Sequence, residues 1–196
     1  KQKMLSGVAY QAGDAELSKD RLKAREIVFE FNNLAPKFFK QRKELLKRLF
    51  GKTDRMFYVE PPFRCDYGYN IEIGDNFYAN FNLVILDCAK VTIGNNVFIA
   101  PNVAIYTAGH PIHAHLRDQE VEWAQPVTIG NSVWIGGNVV INAGITIGSN
   151  VVIGSGSVVT KDIPDNMLAF GNPCKVIRAI TDEDKDYYYK DFKLEQ

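Results

Sequence analysis

Residues 127–162 divide into sixes without a gap: VTIGNS, VWIGGN, VVINAG, ITIGSN, VVIGSG, SVVTKD. The first column is aliphatic in all but the last six, and the third is Ile or Val throughout. Residues 91–108 continue the pattern as VTIGNN, VFIAPN, VAIYTA, and residues 71–88 obey it more loosely as IEIGDN, FYANFN, LVILDC. Self-similarity at a fixed hexapeptide period is the signature of a parallel β-helix. Each six supplies a short strand with an inward aliphatic residue and then a corner. Gly74-Asp75-Asn76, Gly94-Asn95-Asn96 and Gly148-Ser149-Asn150 fall at corners, where Gly and Asn tolerate positive φ. Three strands close one triangular coil, so twelve sixes predict about four coils. No six buries its apolar face alone; stacking does that.

The outer faces are unusual for a solenoid in water. Residues 91–108 and 127–160 contain no Asp, Glu, Lys or Arg. Uncharged outer faces predict that another copy of the chain covers them, in a closed homo-oligomer.

Upstream the pattern is helical. Residues 19–55 carry twelve Lys or Arg against five Asp or Glu. Ser18 can cap a helix in which Ala24, Ile27, Val28 and Phe31 recur on one face. A second helix is predicted from near Pro36 to Gly51, with Phe39, Leu46, Leu49 and Phe50 as its apolar positions. The basic faces read either as solvated surface or as a cationic rim near an anionic ligand. The resulting division is a helical segment over 1–58, a β-helix domain over 59–180 with an inserted loop over 109–126, and a C-terminal tail over 181–196.

The whole chain of 196 residues balances 23 Lys and Arg against 23 Asp and Glu. A net charge of zero argues against nucleic acid or an anionic membrane as partner. The longest apolar runs fall far short of the roughly 20 residues that span a bilayer, and Lys1–Ser6 has no apolar secretion core. Cys65, Cys88 and Cys174 form no CxxC pair and suit a reducing cytoplasm.

Chemistry concentrates in the insert, GHPIHAHLRDQEVEWAQP, which holds every histidine of the chain: His110, His113 and His115. A polar loop interrupting an uncharged solenoid is where function is sought. A short His-rich tract can hold zinc, but all three lie on one loop and the repeats supply no further ligand, so no metal is expected. The other reading makes one histidine a general base. Gly109-His110-Pro111 favours His110, because Pro111 stiffens the backbone after it and biases His110 toward extended geometry. A purely structural His110 stays open on these residues alone.

EPPFRCDYGYNIEIGDNFYANFN (60–82), TAGHPIH (107–113), NSVWIGGNVVINAGITIG (131–148), GSVVTKDIP with GNPCKVIR (156–178) and the tail DKDYYYKDF (184–192) together resemble the hexapeptide-repeat sugar O-acetyltransferases of the maltose and galactoside type. That resemblance implies a left-handed parallel β-helix, a homotrimer with active sites between subunits, and direct transfer of acetyl from acetyl-CoA to a sugar hydroxyl. It places the catalytic base at His110 and the oxyanion-binding N–H at Gly137. Acceptor contacts carry over to Asn80, Asp66 and Cys88, with Asp87 adjacent and Asp14 nearer the N-terminus. Cys88 stands where the galactoside type has an acid. Coenzyme A contacts carry over to Gly137, Ser155, Thr160, Lys161, Lys175 and Arg178, whose three cations suit phosphate. Trp134 would pack on the pantetheine or fill a subunit contact. A xenobiotic or nucleotide-sugar acetyltransferase of the same fold, and a non-catalytic trimeric coenzyme A-binding module, are the alternatives.

Overall fold

The computed structural model describes residues 1–190, 192 and 193; Asp191 and residues 194–196 of the expected tail lie outside the described residues. Three parallel sheets form the faces of a β-solenoid. The first face stacks Ile71–Ile73, Val91–Ile93, Val127–Ile129 and Thr146–Ile147. The second stacks Phe57–Val59, Phe77–Ala79, Phe98–Ile99, Trp134–Ile135, Val152–Ile153 and Met167–Phe170. The third stacks Phe63–Cys65, Leu83–Leu86, Ala104–Tyr106, Val140–Ile141 and Val158–Val159. The inward columns are the aliphatic columns of the hexapeptide, with Ile93, Ile129 and Ile147 stacked at 2% exposure or less.

The stack is longer than the four coils expected. A further coil precedes the repeat, built from Phe57–Val59 and Phe63–Cys65. Its period is masked because the chain takes eight residues from Phe63 to Asn70 before the next coil begins at Ile71. At the far end Met167–Phe170 adds a last parallel strand and then pairs antiparallel with Lys175–Ala179.

Corner chemistry is divided between two positions of the six more sharply than expected. Positive φ falls on the sixth position, as at Ser132, Gly144 and Gly156 and, most often, on asparagines, including Asn76, Asn96, Asn102, Asn138 and Asn150 at 54–61°. Their amides also ladder between coils, Asn76 Nδ2 donating to Asn96 Oδ1 at 2.9 Å and Asn150 Nδ2 to Asn166 Oδ1 at 2.9 Å. The glycines at the fourth position serve close approach instead: a Cβ on Gly94 would lie 2.7 Å from the Gly130 carbonyl oxygen of the next coil.

Helices close the open end of the stack. Helix α1 spans Gln2–Leu5, α2 Ala15–Asn33 and α3 Phe39–Leu49. Helix α2 begins ahead of the expected Ser18 cap because Asp14 accepts the Glu16 and Leu17 amides at 3.0 and 3.2 Å. Its Ala24, Val28 and Phe31 join Leu45, Leu46 and Leu49 of α3 and the solenoid interior in one core. Phe39, read as apolar inside, is exposed. Phe50 meets Phe63 edge to face at 5.5 Å, and the Asn32 amide pairs both ways with the Phe63 backbone at 3.0 and 2.9 Å. Among the described residues no helix is long and apolar enough to cross a membrane.

The inward column should carry the stability. Ile129→Ala is expected to lower the unfolding free energy by about 3 kcal/mol, and the outward Thr128→Ala to change it by less than about 0.5 kcal/mol. Urea denaturation of both variants checks this.

Candidate active site

The insert leaves the solenoid at the corner between the third and first faces and is anchored at both ends. Ala108–Gly109 pairs antiparallel with Val121–Ala124, and that strand pairs with Tyr10–Gln11 from the N-terminal segment. At the tip, α4 (Ala114–Arg117) is capped by His113, whose Nδ1 accepts the His115 amide at 3.2 Å. The register Ala108↔Ala124 and Gly109↔Trp123 puts His110 opposite Glu122, and Tyr10 is the partner of Glu122 on its other side. Three side chains from distant parts of the sequence therefore line one surface. Gly109 is required here, since a Cβ would overlap the Trp123 indole.

The histidine is held in one tautomer. His110 Nδ1 lies 3.3 Å from the Val121 carbonyl, which can only accept, so Nδ1 carries the hydrogen and Nε2 keeps its lone pair. Glu122 Oε1 stands 3.7 Å from Nε2, and Tyr10 Oη donates to Glu122 Oε2 at 2.7 Å. The imidazole is 51% exposed while the carboxylate beneath it is 19% exposed. A presented lone pair backed by a recessed negative charge is the arrangement of a general base. His113 and His115 are engaged elsewhere in the loop, and among the described residues no three His, Cys, Asp or Glu side chains converge as a metal site.

Behind Tyr10 lies a half-buried polar cluster. The Cys88 thiol donates to Asp66 Oδ2 at 3.5 Å, and burial pushes it up to about 12, so it is protonated at neutral pH and is no nucleophile. Burial also raises Asp66, against the opposing influence of Cys88 and Arg21. Arg21 donates to Tyr67 Oη and to the Ala12 carbonyl, both at 2.8 Å, which ties α2 to the same corner.

One expected acceptor ligand, Asp87, is engaged otherwise, and another, Asp14, has a structural task as well. Asp87 is fully buried and accepts the amides of Asp66 at 3.0 Å, Tyr67 at 2.8 Å and Asn70 at 3.3 Å. It therefore shapes the turn that carries Asp66 and cannot touch a sugar itself. Asp14 caps α2 through Oδ1 and lines a cavity of about 390 Å³ that Tyr10 and Val121 of the His110 corner also line.

Asn80, Gly137 and Ser155 lie along a second edge, whereas Thr160 and Lys161 fall at the corner from which the insert leaves, because Ile163 after them joins the first face. That second edge is the corner between the second and third faces, where Gly156 N donates to the Gly137 carbonyl at 2.8 Å. Asn80 Oδ1 accepts the Phe81 amide at 2.8 Å, which leaves its NH₂ free to donate. Thr160 and Lys161 come directly after the third face, and Lys175 and Arg178 lie on the exposed terminal strand. Arg178 is clamped bidentately by Asp184 at 2.7 and 2.8 Å, which lowers that carboxyl to about 2. The outward residues Tyr58, Phe98 and Trp134 form an uncharged stripe on the second face, with Trp134 55% exposed.

Sequence reasoning missed Glu122 and Tyr10. No local motif marks them; only the register of two antiparallel pairs brings them to His110.

Known proteins match this chain in sequence and in fold. The maltose acetyltransferase hexapeptide capping motif matches residues 3–54, and the six-repeat bacterial transferase hexapeptide matches 126–161. The chain is 53% identical over 179 residues to the galactoside O-acetyltransferase of Escherichia coli, covering 91% of this chain and 88% of that one. A galactoside acetyltransferase solved in complex with coenzyme A superposes with a TM-score of 0.97 at 49% identity, covering 100% and 98% of the two chains. A maltose O-acetyltransferase from Clostridium difficile superposes at 0.91 with 52% identity, covering 92% and 97%.

Asp87 gives a pH test. Burial, with the neighbouring Asp66 charge adding to it, pushes its carboxyl up to about 7, although the Tyr67 and Asn70 amides pull the other way. The folded chain thus retains a proton that an exposed aspartate, near pH 4, has already released. Stability from this group is full below about pH 4 and is lost as the pH rises through 7. Asp87→Asn should flatten that slope. Asp87→Ala should cost about 3 kcal/mol by stranding buried amides. Urea titrations across this pH range read both.

Proposed function

The chain belongs to the hexapeptide-repeat acetyltransferases, in the group that holds the maltose and galactoside O-acetyltransferases, and from that premise we propose that it transfers acetyl from acetyl-CoA to a sugar hydroxyl with His110 as general base. The observation that carries this reading is the line Tyr10–Glu122–His110, in which Glu122 stands 3.7 Å from the Nε2 that the Val121 contact at Nδ1 leaves without a hydrogen.

In this mechanism the acceptor hydroxyl gives its proton to His110 Nε2 as its oxygen bonds to the thioester carbonyl carbon. The ring becomes positive and Glu122, held by Tyr10, balances it. The Val121 carbonyl keeps the ring from rotating away. The oxyanion takes a hydrogen bond from the Gly137 N–H. Collapse breaks the carbon–sulfur bond, and His110 returns the proton to the departing thiolate, leaving an acetyl ester and free coenzyme A.

The active unit is a homotrimer. His110, Asp66 and Cys88 stand at one edge of the triangular prism, whereas Asn80, Gly137 and Ser155 stand at another. A site using both sets needs the edges of two copies side by side. The exposed uncharged stripe of Tyr58, Phe98 and Trp134 supports the same arrangement. Ser155, Thr160, Lys161 and Lys175 take the coenzyme, and Arg178 joins them by releasing Asp184. Asp66, Cys88 and Asn80 face the acceptor. Three free thiols suit a reducing cytoplasm.

Chromatographic detection of acetylated product from acetyl-CoA with glucosides, galactosides, maltose and glucose tests the proposal. His110→Ala should lower kcat by roughly 10²–10⁴-fold, and Glu122→Gln by about tenfold, a loss of about 1.4 kcal/mol of transition-state stabilisation. Undiminished turnover in His110→Ala would remove the histidine from its role. No product with any sugar would overturn the reaction.

A further inference from the structure

Beyond Asp66 the acceptor corner opens into a cleft of about 760 Å³ between α2 and the third face, within the roughly 300–1,000 Å³ typical of ligand sites. Its apolar walls include Phe29, Pro62, Val84 and Leu86. Two arginines also line it, Arg25 from α2 and Arg64 from Phe63–Cys65, and both are exposed. The neighbouring polar groups are already engaged: Arg21, one turn earlier on the same helix face, serves Tyr67 and Ala12, and Asn32 serves the Phe63 backbone. Among the described residues no side-chain hydrogen bond or ion pair engages Arg25 or Arg64. Arg25 does bear electrostatically on Asp66, which sets it beside the acceptor carboxylate. Asp66 also lines the cleft, so two guanidinium groups face one carboxylate, and the cleft keeps a surplus of positive charge that no other side chain lining it offsets.

We propose that this cleft is a subsite for an oxyanion carried by the acceptor, so that the preferred acceptors are glycosides whose second moiety bears a phosphate or a carboxylate. Guanidinium groups match both anions bidentately, and the apolar walls accommodate the linking group. The inference rests on the acetyl-transfer reading above.

The test compares kcat/KM for phenyl glucoside, 4-carboxyphenyl glucoside and glucose 1-phosphate, with acetyl-CoA as donor. At least one anionic acceptor should exceed the neutral one by about tenfold or more, and the advantage should shrink with added salt. Which anion gains distinguishes carboxylate from phosphate. In the Arg25→Gln/Arg64→Gln double variant the ratio of anionic to neutral acceptor should fall toward one, and Arg64→Lys should retain part of it. Equal kcat/KM for all three acceptors overturns the inference and leaves the reaction intact. So does a ratio that survives the double variant, including the case where all acceptors lose equally, as a merely structural role would give. A rise in the KM for acetyl-CoA with the acceptor ratio unchanged would assign the arginines to the coenzyme and equally overturn it. Absence of transfer to every acceptor overturns both the reaction and the subsite.

Discussion

Everything in this molecule depends on keeping one coil in register with the next. The ladder from Val91–Ile93 to Val127–Ile129 pairs Val91 with Val127 and Ile93 with Ile129, although 36 residues separate them. Elsewhere the step on this face is near eighteen: Thr128 pairs with Thr146. A register slip of one residue would turn each aliphatic column outward, so the extra chain is extruded whole at a corner and the ladder closes beneath it. The site is therefore a consequence of a regular period interrupted at one point. The extruded loop is rigid where it matters because its two stems pair with each other and then with Tyr10–Gln11.

The solenoid is legible in the sequence because its period repeats a physical requirement, one inward aliphatic residue per strand, often enough to outweigh local noise. The coil built from Phe57–Val59 and Phe63–Cys65 obeys the same requirement but turns its last corner in a longer stretch, so its period is irregular and escapes a search by sixes. The start of α2 is misplaced by sequence for a local reason. Ser18 and Asp14 are both good caps, and only the hydrogen bonds to Glu16 and Leu17 decide between them. The corners are legible in composition but not in division of labour. Positive φ is a property of one residue and close approach a property of two coils, and a single sequence does not separate them.

The site is legible to a lesser degree. His110 announces itself through its loop and its proline neighbour. Glu122 sits twelve residues away among other acids, and Tyr10 lies in a segment with no period at all. Their roles exist only through cross-strand pairing. Asp87 misleads for the opposite reason: its position beside Cys88 suggests an acceptor contact, yet the turn over 66–70 needs an internal acceptor for its amides, and that need consumes the side chain.

The three carboxylates at this corner show how environment divides similar groups among different tasks. Asp87 is sealed from water and spent on the backbone, so it fixes the shape of the turn. Asp66, at the rim of that turn, is partly desolvated but keeps an exposed edge and faces the cations of α2. Glu122 is recessed beneath an exposed imidazole and fastened by a phenol that burial keeps protonated. Exchanging any two of these environments would put an uncompensated charge in the interior or leave the imidazole without its counter-charge. The turn, the rim and the histidine are consequently built as one unit: Asp87 places Asp66, Asp66 takes the Cys88 thiol, Tyr10 packs against that thiol, and the same Tyr10 hydroxyl holds Glu122 beside His110.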